Sequence, residues 1–135
     1  MDKIMNKGSC FCGAVSFEID GELGPIICCH CSKCRKMNGT AFNAISLVKK
    51  ADLRFKSGFD NLSNYESSPG VGRVFCKTCG SPIYSWRETM PDAVRLRIGT
   101  MDTPVPAKPS AHIFVASKAE WFDFHDDTPQ YPERP

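Results

Sequence analysis

The sequence has no apolar run approaching the ~20 residues that a membrane helix needs, which excludes a helical span. Its opening stretch, Met1 to Gly8, contains no apolar segment of signal-peptide type, so a soluble, cytoplasmic protein is expected. Charge of one sign is also scarce: 17 Lys and Arg against 15 Asp and Glu leave a formal net charge of +2. That excess is too small to suggest a nucleic-acid footprint, and charge says nothing further about partners; neither a nucleic-acid nor a membrane partner is expected. Long helical patterns and internal repeats are missing as well, which excludes bundles and solenoids.

What the chain does have is cysteine, eight in 135 residues. Four of them fall within Cys28-Cys29-His30-Cys31-Ser32-Lys33-Cys34, and the others form two close pairs, Cys10/Cys12 and Cys76/Cys79. In a reducing compartment such clusters are metal ligands rather than disulfides. The disulfide alternative would have to accommodate the adjacent Cys28 and Cys29. A length of 135 residues with 41% hydrophobic and 24% charged residues fits a single globular domain over 1–135.

Strand signals dominate. Val15, Phe17 and Ile19 alternate with polar residues, and Ile26-Ile27 lead into the cysteine knot. Residues 42–48, the region of Leu53 and Phe55, a short piece near Tyr65, and the stretches 71–75, 83–86 and 94–98 also read as strands. In the last of these Arg95 and Arg97 are expected to face outward. A final strand is expected around His112 to Val115, followed by an extended or disordered proline-rich tail over 126–135. Only Ser32 to Asn38 leaves room for a short helix, stopped at Asn38-Gly39. The fold class expected is mainly β with little helix.

Cys76-Lys77-Thr78-Cys79-Gly80 has the spacing of a zinc knuckle, whose turn directs both sulfurs at one ion. A closed structural site needs four ligands, and Cys10 and Cys12, flanked by Gly8 and Gly13, supply the other two. In the central knot, strand alternation sends Cys29 and Cys31 one way and Cys28 and His30 the other. Cys34 can curl back from the first helical turn to join Cys29 and Cys31. Three thiolates leave a fourth zinc position open, as catalytic sites do. Alternatively, Cys28 or His30 closes that shell. Cys28 otherwise reads as a small buried hydrophobe, and His30 as an orienting group, a proton shuttle or an uninvolved polar residue.

Gly-Ser-Cys-Phe-Cys-Gly at 8–13, Cys-His-Cys-Ser-Lys-Cys-Arg at 29–35 and Phe-Cys-Lys-Thr-Cys-Gly at 75–80 together resemble the glutathione-dependent formaldehyde-activating enzyme family, also called the GFA or CENP-V/GFA domain. His112-Ile113-Phe114 and Ser117-Lys118-Ala119-Glu120-Trp121 resemble its C-terminal signature, so the likeness spans about 8–131. The resemblance implies a zinc-stapled β-tent of packed antiparallel sheets. It also implies a structural zinc on Cys10, Cys12, Cys76 and Cys79 and a catalytic zinc on Cys29, Cys31 and Cys34. The activity implied is carbon–sulfur lyase chemistry, adding the thiol of glutathione to formaldehyde.

The expected function is therefore thiol addition to formaldehyde or another small aldehyde at a three-thiolate zinc. Two Zn²⁺ per chain are expected, the three-thiolate one labile. The partners are a small-molecule thiol and an aldehyde. Arg35, Lys36, Arg73, Arg95 and Arg97 are candidate cations for an anionic thiol, with solvated surface charge the alternative for each. Trp86, Trp121 and Tyr84 are candidate pocket walls, with core packing the alternative. Two other classes compete: a non-catalytic zinc-stabilised interaction module with two closed sites, and a zinc or redox sensor whose cluster releases metal on oxidation.

Overall fold

The computed structural model describes residues 5–135. The first four residues, part of the stretch read above for a signal peptide, lie outside the described residues. Ten strands and one α-helix are present: β1 (Met5–Ser9), β2 (Ser16–Asp20), β3 (Ile26–Cys29), α1 (Ser32–Asn38), β4 (Asn43–Lys49), β5 (Leu53–Ser57), β6 (Leu62–Ser68), β7 (Val71–Cys76), β8 (Pro82–Arg87), β9 (Met90–Arg97) and β10 (Pro109–Ile113). The mainly β expectation is met, and α1 ends at Gly39, which takes a left-handed conformation. β1 was not foreseen. It alternates buried and exposed residues, but its inward positions are Asn6 and Gly8, which carry no apolar signal.

The chain divides into two compact units. One runs to Gly24 and resumes over Ser46–Pro106; the other comprises Pro25–Ile45 and Ala107–Pro135.

In the first unit β1, β2 and β5 form an antiparallel sheet, with Gly8 opposite Phe17 and Phe17 opposite Phe55. β9, β8, β7 and β6 follow one another as an antiparallel meander, with Leu96 opposite Tyr84 and Cys76 opposite Leu62. Val15, Phe17, Ile19, Val48, Ile83, Val94 and Leu96 form the core of this unit, and Cys10 and Cys76 belong to the same cluster. Each large aliphatic or aromatic side chain so buried stabilises the fold by about 1.5–3 kcal/mol. Strict alternation fails at the end of β9. Arg97 is only 6% exposed, contrary to expectation, because small Ser85 leaves room for its guanidinium. Its Nη1 donates to Ser85 Oγ at 3.2 Å and to the Arg95 carbonyl at 3.1 Å.

In the second unit β3 lies between β10 and β4. β10 runs parallel to β3, with His112 opposite Cys28 and Ile113 opposite Cys29. This sheet is therefore mixed rather than purely antiparallel, which the long excursion between the two strands permits. The C-terminal segment is extended and tied down by its main chain. His112 N donates to Pro129 O at 2.9 Å, Tyr131 N to His112 O at 2.9 Å, and Phe114 N to Glu133 O at 3.0 Å.

Candidate metal centres

Two groups of cysteine sulfurs have the spacing to hold a metal ion, one in each unit, and within each group the sulfurs lie within 4.8 Å of one another. The first comprises Cys10, Cys12, Cys76 and Cys79; the second comprises Cys29, Cys31 and Cys34. All eight cysteines are free of disulfides.

Two tight turns build the four-sulfur group. Between β1 and β2, Gly13 N donates to Cys10 O at 3.1 Å; between β7 and β8, Gly80 N donates to Cys76 O at 2.7 Å. Gly13 and Gly80 have φ of 81° and 82°, a region that a side chain would strain. The Sγ of Cys12 lies 3.6 Å from that of Cys10 and 3.8 Å from that of Cys76. A tetrahedral ion with bonds of about 2.3 Å to sulfur requires sulfur–sulfur edges of about 3.8 Å, so the donors fit zinc in kind and in spacing.

Hydrogen bonds already favour the anionic form of part of this set. The Ser81 hydroxyl and the Ser81 and Cys12 amides hold Cys79 down to about 5. The Cys79 and Thr78 amides lower Cys76 against the effect of burial. Cys12 goes the other way, up to about 11: the Ala14 amide pulls it down, but burial and the neighbouring thiols outweigh that pull. Asn61, which carried no signal in the sequence, donates from Nδ2 to Cys76 Sγ at 3.2 Å and to Thr78 Oγ1 at 2.9 Å.

The second group forms where β3 runs into α1. Cys29 ends β3, Cys31 caps α1, and Cys34 lies in the first turn of the helix. The Cys34 amide donates to Cys31 Sγ at 3.3 Å, which draws the two sulfurs together. Hydrogen bonds from Cys29 and Cys34 hold Cys31 down to about 2, and the same contacts push Cys29 up. Three sulfurs this close carry more than one negative charge only beside a cation. Asn43, on β4, approaches Cys34 Sγ at 4.0 Å through its amide nitrogen.

β3 ends at Cys29, so strand alternation covers only Cys28 and Cys29 of these residues. Cys28 and His30 are fully buried and belong to neither sulfur group among the described residues. Burial, with Asp126 nearby, raises the Cys28 thiol to about 11. The His30 ring packs instead against His112, Phe42 and Phe124. Of the candidate cations, Arg35 donates to Ser117 O at 2.9 Å and borders a cleft of about 480 Å³. Ser32, Ser117, Lys118, Glu120 and Trp121 also line that cleft. Trp121 is 72% exposed, so core packing does not account for it. Trp86 and Tyr84 line a smaller hollow in the first unit, with Phe59 and Val74. Arg97 is buried as described, and Arg73 is bonded to Ser67 Oγ.

The family profile described as "Glutathione-dependent formaldehyde-activating enzyme" matches residues 5–117. The chain belongs to this family. A Halomonas elongata protein, provisionally named a glutathione-dependent formaldehyde-activating enzyme, is 32% identical over 87% of this chain and 79% of its own length. A Schizosaccharomyces pombe protein, named only as an uncharacterized lyase, is 35% identical over 58% of this chain and 55% of its own. The crystal structure of a Rhodobacter sphaeroides protein superimposes with a TM-score of 0.62 at 28% identity, over 74% of this chain and 91% of that one. The names of these family members support an enzyme, and the cysteine groups support metal binding. No helix among the described residues is long and apolar enough to cross a membrane.

Proposed function

We propose that this protein is a zinc-dependent carbon–sulfur lyase that joins a thiol, glutathione or a close relative, to formaldehyde or another small aldehyde. The observation that carries the reading is the contrast between the two groups: four sulfurs in one, and three in the other, which no further cysteine or histidine joins among the described residues. Cys10, Cys12, Cys76 and Cys79 then hold a structural ion, and Cys29, Cys31 and Cys34 hold the catalytic one.

Zinc bound by three thiolates supplies a Lewis acid with one exchangeable position, able to lower the pKa of a thiol or to polarise a carbonyl oxygen. The chain's own groups do the rest. The Cys34 amide and the Asn43 side chain direct hydrogen-bond donors at the sulfurs. The cleft along α1, bordered by Arg35, Lys118 and Trp121, suits the body of a charged thiol. In the reaction the thiol sulfur bonds to the carbonyl carbon, the C=O π bond opens, and the thiol proton ends on oxygen. The product is an S-hydroxymethyl thioether, and no oxidant or reductant is needed.

Eight free thiols fit a reducing, cytoplasmic setting. The test is to add formaldehyde and glutathione to the zinc-loaded protein and follow S-hydroxymethylglutathione by NMR. Formation faster than the spontaneous rate supports the reading. An unchanged rate for glutathione and for simpler thiols contradicts it.

A further inference from the structure

His30 sits between two residues of the second group, yet its side chain has no solvent exposure. Its Nε2 is 2.9 Å from Nδ1 of His112, which is 2% exposed. The Nε2 of His112 is in turn 3.0 Å from Oδ2 of Asp126. The other oxygen of Asp126 accepts from the Thr128 amide at 3.2 Å. Aromatic rings enclose the row. His112 stacks on Phe124 with centroids 4.0 Å apart, and His30 lies 5.2 Å from Phe42 and 5.0 Å from Phe124.

With His112 neutral, the chemistry of the three groups fixes the direction of these hydrogen bonds. An ionised carboxylate only accepts, so Nε2 of His112 carries its hydrogen. Neutral His112 then presents a lone pair at Nδ1, and Nε2 of His30 must donate to it. What remains is Nδ1 of His30, buried and without a hydrogen-bond partner among the described residues. A phenylalanine at position 30 would remove that unpaired nitrogen but would also strip the buried Nδ1 of His112 of its donor. An imidazole held there despite its own unpaired nitrogen points to a need for direction.

We infer that Asp126 and His112 are positioning residues: they fix His30 as its Nε2–H tautomer and, through it, the backbone that sets Cys29 and Cys31 on one face. β10 grips His30 twice, at the side chain through His112 and at the main chain, where His30 N donates to Ile113 O at 2.9 Å. Rotation at residue 30 would swing Cys31 away from Cys29, and this double hold prevents it. The positioning half of the inference rests on the metal-centre reading proposed above; the tautomer half does not.

Long-range ¹H–¹⁵N NMR of the full-length, zinc-loaded protein reads the tautomers directly. Both His30 and His112 are expected as Nε2–H at neutral pH. In Asp126→Ala, His112 should populate both tautomers, and the more weakly held zinc should pass to a chromophoric chelator about 10-fold faster. Asp126→Glu should restore both readouts toward wild type. If Asp126→Ala does not fold, Asp126→Val, which keeps bulk and offers no acceptor, provides the same comparison. A His30 or His112 ring found as Nδ1–H or doubly protonated in the wild type overturns the inference. Tautomer scrambling with unchanged zinc release overturns the positioning role. Neither readout uses a thiol or an aldehyde substrate, so an inactive protein with these signatures would refute only the proposed function.

Discussion

The Sγ of Cys12 and the Sγ of Cys76 lie 3.8 Å apart although 64 residues separate them in sequence. That contact joins the β1–β2 turn to the β7–β8 turn, in a unit whose core already contains Cys10 and Cys76. An ion bound there contributes to folding as well as to local order. Removing a ligand such as Cys76 (Cys76→Ser) should forfeit much of a binding free energy on the order of 10 kcal/mol. The expected outcome is a chain without a cooperative thermal transition by circular dichroism. A Cys76→Ser protein that melts like the wild type would contradict a structural role for this group.

Cys34 predicts a different outcome. It is buried, but its sulfur lies at a strand–helix junction in the other unit, and serine is close to it in size. Cys34→Ser should cost about 1 kcal/mol of stability and leave the protein folded. Zinc analysis should fall from two ions per chain to one. Loss of both ions, or of the fold, would remove the distinction between the two centres.

The grouping of the cysteines was legible because close spacing within a turn constrains where sulfurs point, whatever the rest of the chain does. Strand alternation was a looser guide at the central knot, because β3 ends at Cys29 and Cys31 already caps α1. The partners of His30 were not legible as partners. His112 arrives on a parallel strand from 82 residues away, and Asp126 lies in a stretch whose composition suggested a tail. Period-two reasoning also failed for Arg97, because alternation says which face a residue takes and not whether that face is covered. Trp121 failed in the opposite sense: a large aromatic suggests a core, and here it borders a cleft.

Asn61 gives a prediction that sequence reading alone would not have made. Its side-chain amide donates to Cys76 Sγ and to Thr78 Oγ1, supporting the four-sulfur group from outside. Asn61→Ala should destabilise the protein by about 1–2 kcal/mol in urea titrations and speed zinc loss from this group. Unchanged stability together with unchanged zinc loss would leave Asn61 no role at the metal.

Acid should weaken the fold partly through His30. Burial first, with His112 and Lys118 acting in the same sense and Asp126 opposing, lowers its pKa from 6.5 to about 4. The folded pKa lies below the unfolded one, so the unfolded chain binds more protons between these values. Stability is then full above about pH 6.5 and falls as pH drops toward 4, by about 2 kcal/mol between pH 7 and pH 5. Urea midpoints at those two pH values for Cys34→Ser and for Cys34→Ser combined with His30→Gln isolate the effect, because neither protein holds an ion at the second group. A pH dependence as steep in the doubly substituted protein as in Cys34→Ser would contradict this account.

Exchange NMR with ¹³C-formaldehyde and glutathione, comparing zinc-loaded wild type with Cys34→Ser, tests the three-thiolate centre most directly. The wild type should interconvert free formaldehyde and its glutathione adduct well above the spontaneous rate, and Cys34→Ser should return to that rate while still binding one zinc. Equal exchange with both proteins, or none above background with either, would contradict catalysis at Cys29, Cys31 and Cys34.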